Sequence, residues 1–277
     1  MKKVYVEITN RCNLRCAFCP GTGRAEGSMS PEEFALVLDR LGGRAEYVFL
    51  HVMGEPLLHP ALETILALAA ERNQKLCVAT NGTLLPRRAQ ALLDAPTLYR
   101  VSVSLHCLEG NGVKDTGSYL EAVWDFAQQA AERGVIVALR LWNEGGAEAR
   151  NGEILSFLHE KTGQADWPEP RSRSYRLGER LYLEREHVFR WPDAAGEETG
   201  TQFCRALREQ LGVLCDGTVV PCCLDSEGTL ALGNLFEEEL DTILAGARAQ
   251  AIRAGFSRRQ PAEALCRRCG YATRFNV

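Results

Sequence analysis

No apolar run in this 277-residue sequence approaches the roughly 20 residues needed to cross a bilayer. Signal-peptide features are also missing. Met1-Lys2-Lys3 runs straight into Val4-Tyr5-Val6-Glu7-Ile8, with a charge at position 7 and no small-residue cleavage site after it. A cytoplasmic protein without a membrane partner is therefore expected. Excess positive charge is absent: the net charge of −4 does not mark a nucleic-acid binder, although a local basic groove is compatible with it. No internal repeat stands out beyond a β-α rhythm. A composition of 45% hydrophobic and 25% charged residues excludes disorder of the whole chain.

Cysteine is abundant, but it lacks the pattern of a disulfide framework. The count of 11 is odd, and there is no export signal. Three cysteines crowd at 12, 16 and 19, and six fall after residue 203. Clustering at both ends of a cytoplasmic chain points to metal.

The first two-thirds alternates short apolar strands with amphipathic helices. Strands are predicted at 4–8, 47–52, 76–80, 99–105 and 135–141, with a sixth at 181–184 after a Pro- and Arg-rich loop at 168–176. Helices are predicted at 31–41, 60–72, 86–93, 118–132 and 151–161. Ser30-Pro31-Glu32-Glu33 gives the first of these a cap, a proline at its first position and a glutamate three residues after the cap. Repeated β-α units of this spacing predict an α/β fold with parallel strands. Near residue 200 the pattern changes. A linker at 194–200 leads to a helix-like stretch at 205–210. A hairpin then turns at Asp216-Gly217, and a helix at 237–254 is broken at Gly246. The domains expected are 1–200 and 201–277. About 75 residues bury little core alone, so a metal staple suits the second.

Cys12, Cys16 and Cys19 form C-x3-C-x2-C directly after the first strand. In a β/α barrel, loops leaving the strand ends build the active site. Zinc in a closed structural site wants a fourth ligand. A cubane iron–sulfur cluster held by three thiolates leaves one iron open. Spacing leaves both readings standing. The full run Cys12-Asn13-Leu14-Arg15-Cys16-Ala17-Phe18-Cys19, with its aromatic residue before the third cysteine, resembles the signature of the radical S-adenosylmethionine (SAM) superfamily. That resemblance implies a partial (β/α)6 TIM-like barrel. It also implies a [4Fe-4S] cluster whose open iron chelates SAM, and reductive cleavage of SAM to methionine and a 5′-deoxyadenosyl radical. The cofactor then carries the hard chemistry, while the protein orients it and excludes water.

Further positions resemble the same superfamily. Met53-Gly54-Glu55-Pro56 is similar to its Gly-Gly-Glu-Pro element, with Met in place of the first Gly; the resemblance implies support of SAM's methionyl amino group by Gly54, Glu55 and Pro56. Thr80-Asn81-Gly82 closes the third strand, and Asn81 is expected to border the adenosyl group. Ser104-Leu105-His106-Cys107 ends the fourth. Ser104 is a candidate for SAM's ribose or carboxylate, His106 for a base or orienting group, and Cys107 for a hydrogen-atom donor. Arg140, within the fifth strand, needs a partner because an unpaired buried charge is costly. The resemblance points it at SAM's carboxylate, with a structural ion pair as the alternative. His51 should approach the barrel mouth, and Glu7 faces the lumen if the alternation allows. Trp142, Asn143, Trp191 and Asp193 are further pocket candidates.

Cys204, Cys222, Cys266 and Cys269 supply four candidate thiolates for a second site, with Gly217 turning the chain between the first two. Iron–sulfur and zinc both fit that set on general chemistry. Asp216-Gly217-Thr218-Val219-Val220-Pro221-Cys222-Cys223, Leu232-Gly233-Asn234-Leu235 and the final Cys-x2-Cys resemble the SPASM extension of radical SAM enzymes. Too few cysteines follow residue 236 for that extension's two-cluster form. The resemblance therefore implies one auxiliary [4Fe-4S] cluster on these four thiolates, with Cys215 and Cys223 spare. It further implies modification of a peptide or protein side chain, with a small metabolite or RNA as the competing substrate, and an external electron donor such as flavodoxin or ferredoxin. The sequence given holds no separate peptide-recognition domain before residue 4, which counts against leader-dependent work. Arg171, Arg173, Arg176 and Arg180 suit either phosphates or a solvated loop. A zinc-stapled binding or scaffold protein is the reading from a different class.

Overall fold

The computed structural model of the protein describes residues 1–109, 111 and 115–276. In chain order the elements are β1 (Lys3–Val6), α1 (Pro31–Leu41), β2 (Tyr47–Phe49), α2 (Leu62–Glu71), β3 (Leu76–Thr80), α3 (Leu85–Leu93), β4 (Leu98–Ser104), α4 (Thr116–Glu132), β5 (Ile136–Glu144), α5 (Asn151–Thr162), β6 (Ser174–Gly178) and β7 (Leu181–His187). Then follow β8 (Gln210–Val213), β9 (Thr218–Val220), β10 (Gly233–Asn234), α6 (Leu240–Ala245), α7 (Ala247–Ser257) and α8 (Ala264–Arg267). Contacts divide the chain into two compact units. One comprises Met1–Arg11, Pro20–Gly54 and Phe189–Val277; the other comprises Cys12–Cys19 and Glu55–Val188.

The first unit holds strands in the order β10-β9-β8-β1-β2. β1 runs parallel to both β2 and β8, so the chain returns after residue 200 to extend the sheet that its N-terminus began. Val4, Val6, Val48, Leu211 and Val213 form the buried centre of these strands. α1 starts as its sequence dictates. Ser30 Oγ accepts from the Glu33 amide at 3.1 Å, Glu33 Oε2 accepts from the Ser30 amide at 2.6 Å, and Gly42 ends the helix in the left-handed region. The predicted hairpin is present: β8 and β9 are antiparallel around Asp216-Gly217. Gly217 has φ +85°, and a Cβ there would lie 2.3 Å from Asn234 Oδ1 and 2.6 Å from the Phe236 ring. α6 and α7 abut at Gly246, where the sequence breaks the helix.

The second unit is built from β3, β4, β5 and β7, all parallel, with β6 added antiparallel at the edge. Apolar residues at 76–78, 101, 103, 137–139, 141 and 183 make its interior. Two expectations are corrected. The stretch at 168–176 is not all loop, because β6 pairs with β7 from Ser174 onward; its Arg176 amide also bonds to the Pro168 carbonyl. The stretch at 205–210 is not a helix. Leu207 has φ +57° and its amide bonds to the Gln210 carbonyl, which turns the chain directly into β8. Among the described residues, no helix is long and apolar enough to cross a membrane.

Replacing Gly217 by Ala forces a left-handed φ on a residue with a Cβ and drives that carbon into Asn234 and Phe236. Gly217→Ala is expected to cost roughly 2–4 kcal/mol, read as a lower urea midpoint under anaerobic conditions.

Candidate metal centres

The loop Cys12–Cys19 has no regular secondary structure, so its shape comes from side chains elsewhere in the second unit. Asn13 and Asn81 form one brace. Asn81 Nδ2 donates to Asn13 Oδ1 at 2.9 Å, and Asn13 Nδ2 donates to Thr83 Oγ1 at 2.8 Å. Thr83 closes the ring through its amide and hydroxyl, both donating to Asn81 Oδ1. A second brace is Asn111, whose Oδ1 accepts from the Arg15 amide at 2.9 Å while its Nδ2 reaches Cys16 Sγ at 3.2 Å. Cys12 and Cys19 are exposed, and Cys16 is half-buried. Burial raises the Cys12 and Cys16 thiols above their ordinary value, and each also senses the neighbouring sulfurs; Asn111 pulls Cys16 back down.

Glu55 sits beside this loop in the same unit and is 1% exposed. Its Oε1 accepts from the Thr80 hydroxyl at 2.7 Å and the Leu57 amide at 3.0 Å; its Oε2 accepts from the Asn81 amide at 2.7 Å. Glu55 thereby ties the short 3-10 turn Pro56–Leu58 to the end of β3. Burial outweighs those three donors and lifts its pKa to about 7.

In the first unit, Gly54 has φ +79°, and a Cβ there would lie 2.3 Å from the Thr9 carbonyl oxygen and 2.9 Å from that of Arg11. Only glycine lets this turn lie against the backbone that leads into the cysteine loop. Glu7 is fully buried, and both of its oxygens accept from Arg24 Nη2, at 2.7 and 2.8 Å. The same carboxylate accepts from the Met53 amide at 3.0 Å and the Cys215 amide at 3.3 Å. Glu7 is therefore the hub that locates Met53-Gly54. Its partner Arg24 carries no motif and was missed by sequence reasoning. His51 lies edge-on to Tyr5 and Phe49, with ring centres 5.4 and 5.9 Å away.

Around the end of β4, His106 packs on Phe18 of the cysteine loop, ring centres 4.6 Å apart. Its Nδ1 lies 3.0 Å from the Arg140 carbonyl oxygen, and burial lowers its pKa to about 4. The imidazole is neutral at physiological pH. Cys107 is buried, donates to the Asn81 carbonyl at 3.2 Å, and is pushed by burial to about 12. Tyr119 bonds to the same carbonyl at 2.8 Å. Ser104 pairs in register with Arg140. Arg140 forms the ion pair weighed as its alternative role: Nε lies 3.3 Å from Glu184 Oε2, and the guanidinium stacks 4.4 Å from the Trp142 ring centre. Arg100 holds the other oxygen of Glu184 at 2.5 Å. Burial pushes the Glu184 carboxyl upward, but the two guanidiniums prevail and hold it below its ordinary value. Arg173 is likewise engaged by Glu144 and Glu186 within the fold, so it belongs to an internal charge network. Asn143 bonds to Asn151 and to the Ala147 carbonyl, which gives it a structural part.

Cys204, Cys222, Cys266 and Cys269 line one cavity of the first unit, together with Leu265 and Tyr271. Cys215 and Cys223 do not line it. Cys215 instead faces Arg24, 3.9 Å away, and Cys223 bonds to Tyr5. Burial raises all four cavity thiols, and mutual repulsion raises Cys204, Cys222 and Cys266 further, so a cation is needed to hold them as thiolates. Thr199 and Thr201 hydroxyls fix the Cys269 carbonyl at 3.2 and 3.0 Å. Asp225, also on the cavity, is buried and accepts from the Thr229 and Leu230 amides. Among the described residues, no group of three or more His, Cys, Asp or Glu side chains is drawn together tightly enough to hold a lone metal ion. Four thiols lining one cavity supply the ligand number that an iron–sulfur cluster or a structural zinc takes.

The Radical SAM superfamily matches residues 6–143, and SPASM, an iron-sulfur cluster-binding domain, matches residues 204–270. The chain belongs to the radical SAM superfamily and carries a SPASM-like auxiliary iron–sulfur module. It is 31% identical over 144 residues to Fe-coproporphyrin III synthase of Methanosarcina barkeri (strain Fusaro / DSM 804), a match covering 50% of this chain and 36% of that protein. The chain thus spans little more than a third of that relative. Among solved structures it is similar to BtrN in complex with AdoMet and 2-DOIA, with TM-score 0.63 and 19% identity over 97% of this chain and 92% of that one. It is also similar to Streptococcus suis SuiB bound to precursor peptide SuiA, with TM-score 0.58 and 14% identity over 97% and 69% of the two chains. These likenesses show the fold: a mostly parallel, partial-barrel α/β core with a small C-terminal module.

The pKa of Glu55 makes stability depend on pH. Its value in the folded protein, about 7, exceeds the ordinary 4.5. The stabilisation is full below about 4.5 and is lost as pH rises through about 7. Between pH 5 and 8 the wild type is expected to lose on the order of 2–3 kcal/mol relative to Glu55→Gln, whose side chain does not titrate. Denaturation midpoints of both proteins at the two pH values check this.

Proposed function

We propose that this protein is an enzyme that reductively cleaves SAM and uses the resulting radical to abstract a hydrogen atom from a peptide or protein side chain. The observation that carries the reading is the braced loop presenting Cys12, Cys16 and Cys19. These three thiols would hold a [4Fe-4S] cluster with one open iron for SAM, and Cys204, Cys222, Cys266 and Cys269 would hold an auxiliary [4Fe-4S] cluster. When bound, the first cluster and SAM supply the one-electron cleavage that yields the 5′-deoxyadenosyl radical. The chain's own residues do the rest. Gly54 lets its turn approach the backbone ahead of the loop, with Glu55 and Pro56 fixing the following turn. Asn81 braces the loop and borders the adenosyl group. Ser104 and Arg140, paired across β4 and β5, orient SAM's ribose and carboxylate; Glu184 keeps the guanidinium neutralised until SAM arrives.

His106 is neutral, so it serves as an orienting group or acceptor, and His51 serves as a substrate contact. Cys107 stays a protonated thiol, as a hydrogen-atom donor must, although its burial puts it below the loop surface. Flavodoxin or ferredoxin would deliver the electron.

The likeness to SuiB with its precursor peptide supports a peptide substrate. The likeness to BtrN, which covers nearly the whole of both chains and includes 2-DOIA, favours a second reading in which the substrate is a small metabolite.

Protein purified without oxygen should carry about eight irons and eight sulfides per chain. With dithionite and SAM it should release 5′-deoxyadenosine. Cys16→Ala should abolish that release, whereas Cys266→Ala should lose about half the iron and still cleave some SAM without coupling. Normal cleavage by Cys16→Ala overturns the assignment. Deuterium transfer into 5′-deoxyadenosine from labelled peptides, but not from labelled metabolites, distinguishes the two substrate readings.

A further inference from the structure

The Cys16 sulfur of the N-terminal loop receives an amide side chain from a distant part of the sequence. Asn111 lies 95 residues away and brings Nδ2 to 3.2 Å from Cys16 Sγ. The orientation of that amide is fixed by backbone groups that cannot exchange roles. Oδ1 accepts from the Arg15 amide at 2.9 Å, and Nδ2 donates to the Cys107 carbonyl at 2.7 Å, with the Glu109 carbonyl at 3.4 Å. A flipped amide would set a donor against the Arg15 N–H and an acceptor against two carbonyls. The nitrogen must therefore face the sulfur. Asn111 is half-buried, which strengthens an N–H···S bond relative to one in open water.

We infer that Asn111 tunes the reduction potential of the cluster held by Cys12, Cys16 and Cys19, by donating a hydrogen bond to the Cys16 sulfur. The inference rests on the reading of those three cysteines as cluster ligands. Its sign follows from charge. One-electron reduction adds a negative charge to the cluster and its thiolates, and a donor aimed at a ligand sulfur stabilises the more negative state. Asn111 raises the potential, so that a biological electron donor can reduce the cluster. Asn111 acts through Cys16 and is a positioning and tuning residue.

Two variants separate the donor from the brace. Asn111→Ala removes both. Asn111→Asp keeps an oxygen for the Arg15 amide, but replaces the donor facing Cys16 with a negative charge. The readout is a potentiometric EPR titration of the holoprotein, following the cluster signal that changes when SAM is added. Both variants are expected to titrate at a more negative potential than wild type. A tenfold loss in the equilibrium for reduction corresponds to about 59 mV for this one-electron couple, and Asp should be displaced at least as far as Ala. An unchanged midpoint in a variant that retains the SAM-responsive signal overturns the inference. Loss of that signal from both variants also overturns it, and assigns Asn111 to cluster assembly. Wild-type protein with no SAM-responsive signal at all is a separate result, and overturns the functional reading beneath it.

Discussion

Three thiols on a loop without regular structure can serve one metal centre only if the loop is held from outside. Fixing each residue costs roughly 1–2 kcal/mol of backbone entropy, and this loop makes no ladder of its own to offset it. The offset comes from side-chain amides. Asn13, Asn81 and Thr83 close a ring on one side, and Asn111 grips Arg15 and Cys16 on the other. Glu55 then locks the end of β3, where Asn81 sits, through the Thr80 hydroxyl and the Asn81 amide. The chemistry proposed for this protein depends on that chain of polar contacts, because a loop free to rearrange could close on a fourth ligand.

The two cysteine sets stand in different surroundings. Cys12 and Cys19 are exposed, as suits the proposed centre, which would admit a cofactor and a substrate. Cys204 and Cys269 are buried in an apolar cavity with Cys222 and Cys266, and threonine hydroxyls fix the backbone of the last thiol. Metal binding there must displace protons from thiols that burial and mutual repulsion hold protonated. Folding of this region and metal uptake are therefore linked. Tyr271, which also lines the cavity, stacks edge-on with Phe189 and Phe275, so the segment at 189–201 and the C-terminal residues share one aromatic cluster.

The strands and helices of the β-α rhythm were legible because their periodicity and caps act locally; α1 is specified almost entirely by Ser30, Pro31, Glu33 and Gly42. The four-thiol set was legible through its resemblance to the SPASM extension, and the four thiols line one cavity. β6 was hidden because Pro168 and Pro170 obscure a strand that starts only at Ser174 and takes its order from pairing with β7. Residues 205–210 read as helical by composition, but Leu207 adopts a left-handed conformation that no local signal announces. Arg24 and Asn111 were invisible for a different reason. Each is an ordinary polar residue in a loop, and its meaning comes from partners 17 and 95 positions away. Glu7 was recognised as a possible lumen residue, but its buried pairing with Arg24 and its hold on Met53 need the fold.

The account turns on SAM binding directly to an iron that no side chain ligates. Electron–nuclear double resonance on the reduced holoprotein, with 15N in the amino group of SAM, tests this most directly. A nitrogen hyperfine coupling that appears only with the labelled cofactor is the predicted result. A spectrum unchanged by the label, with a persistent coupling from a protein side chain at the fourth iron, would contradict it.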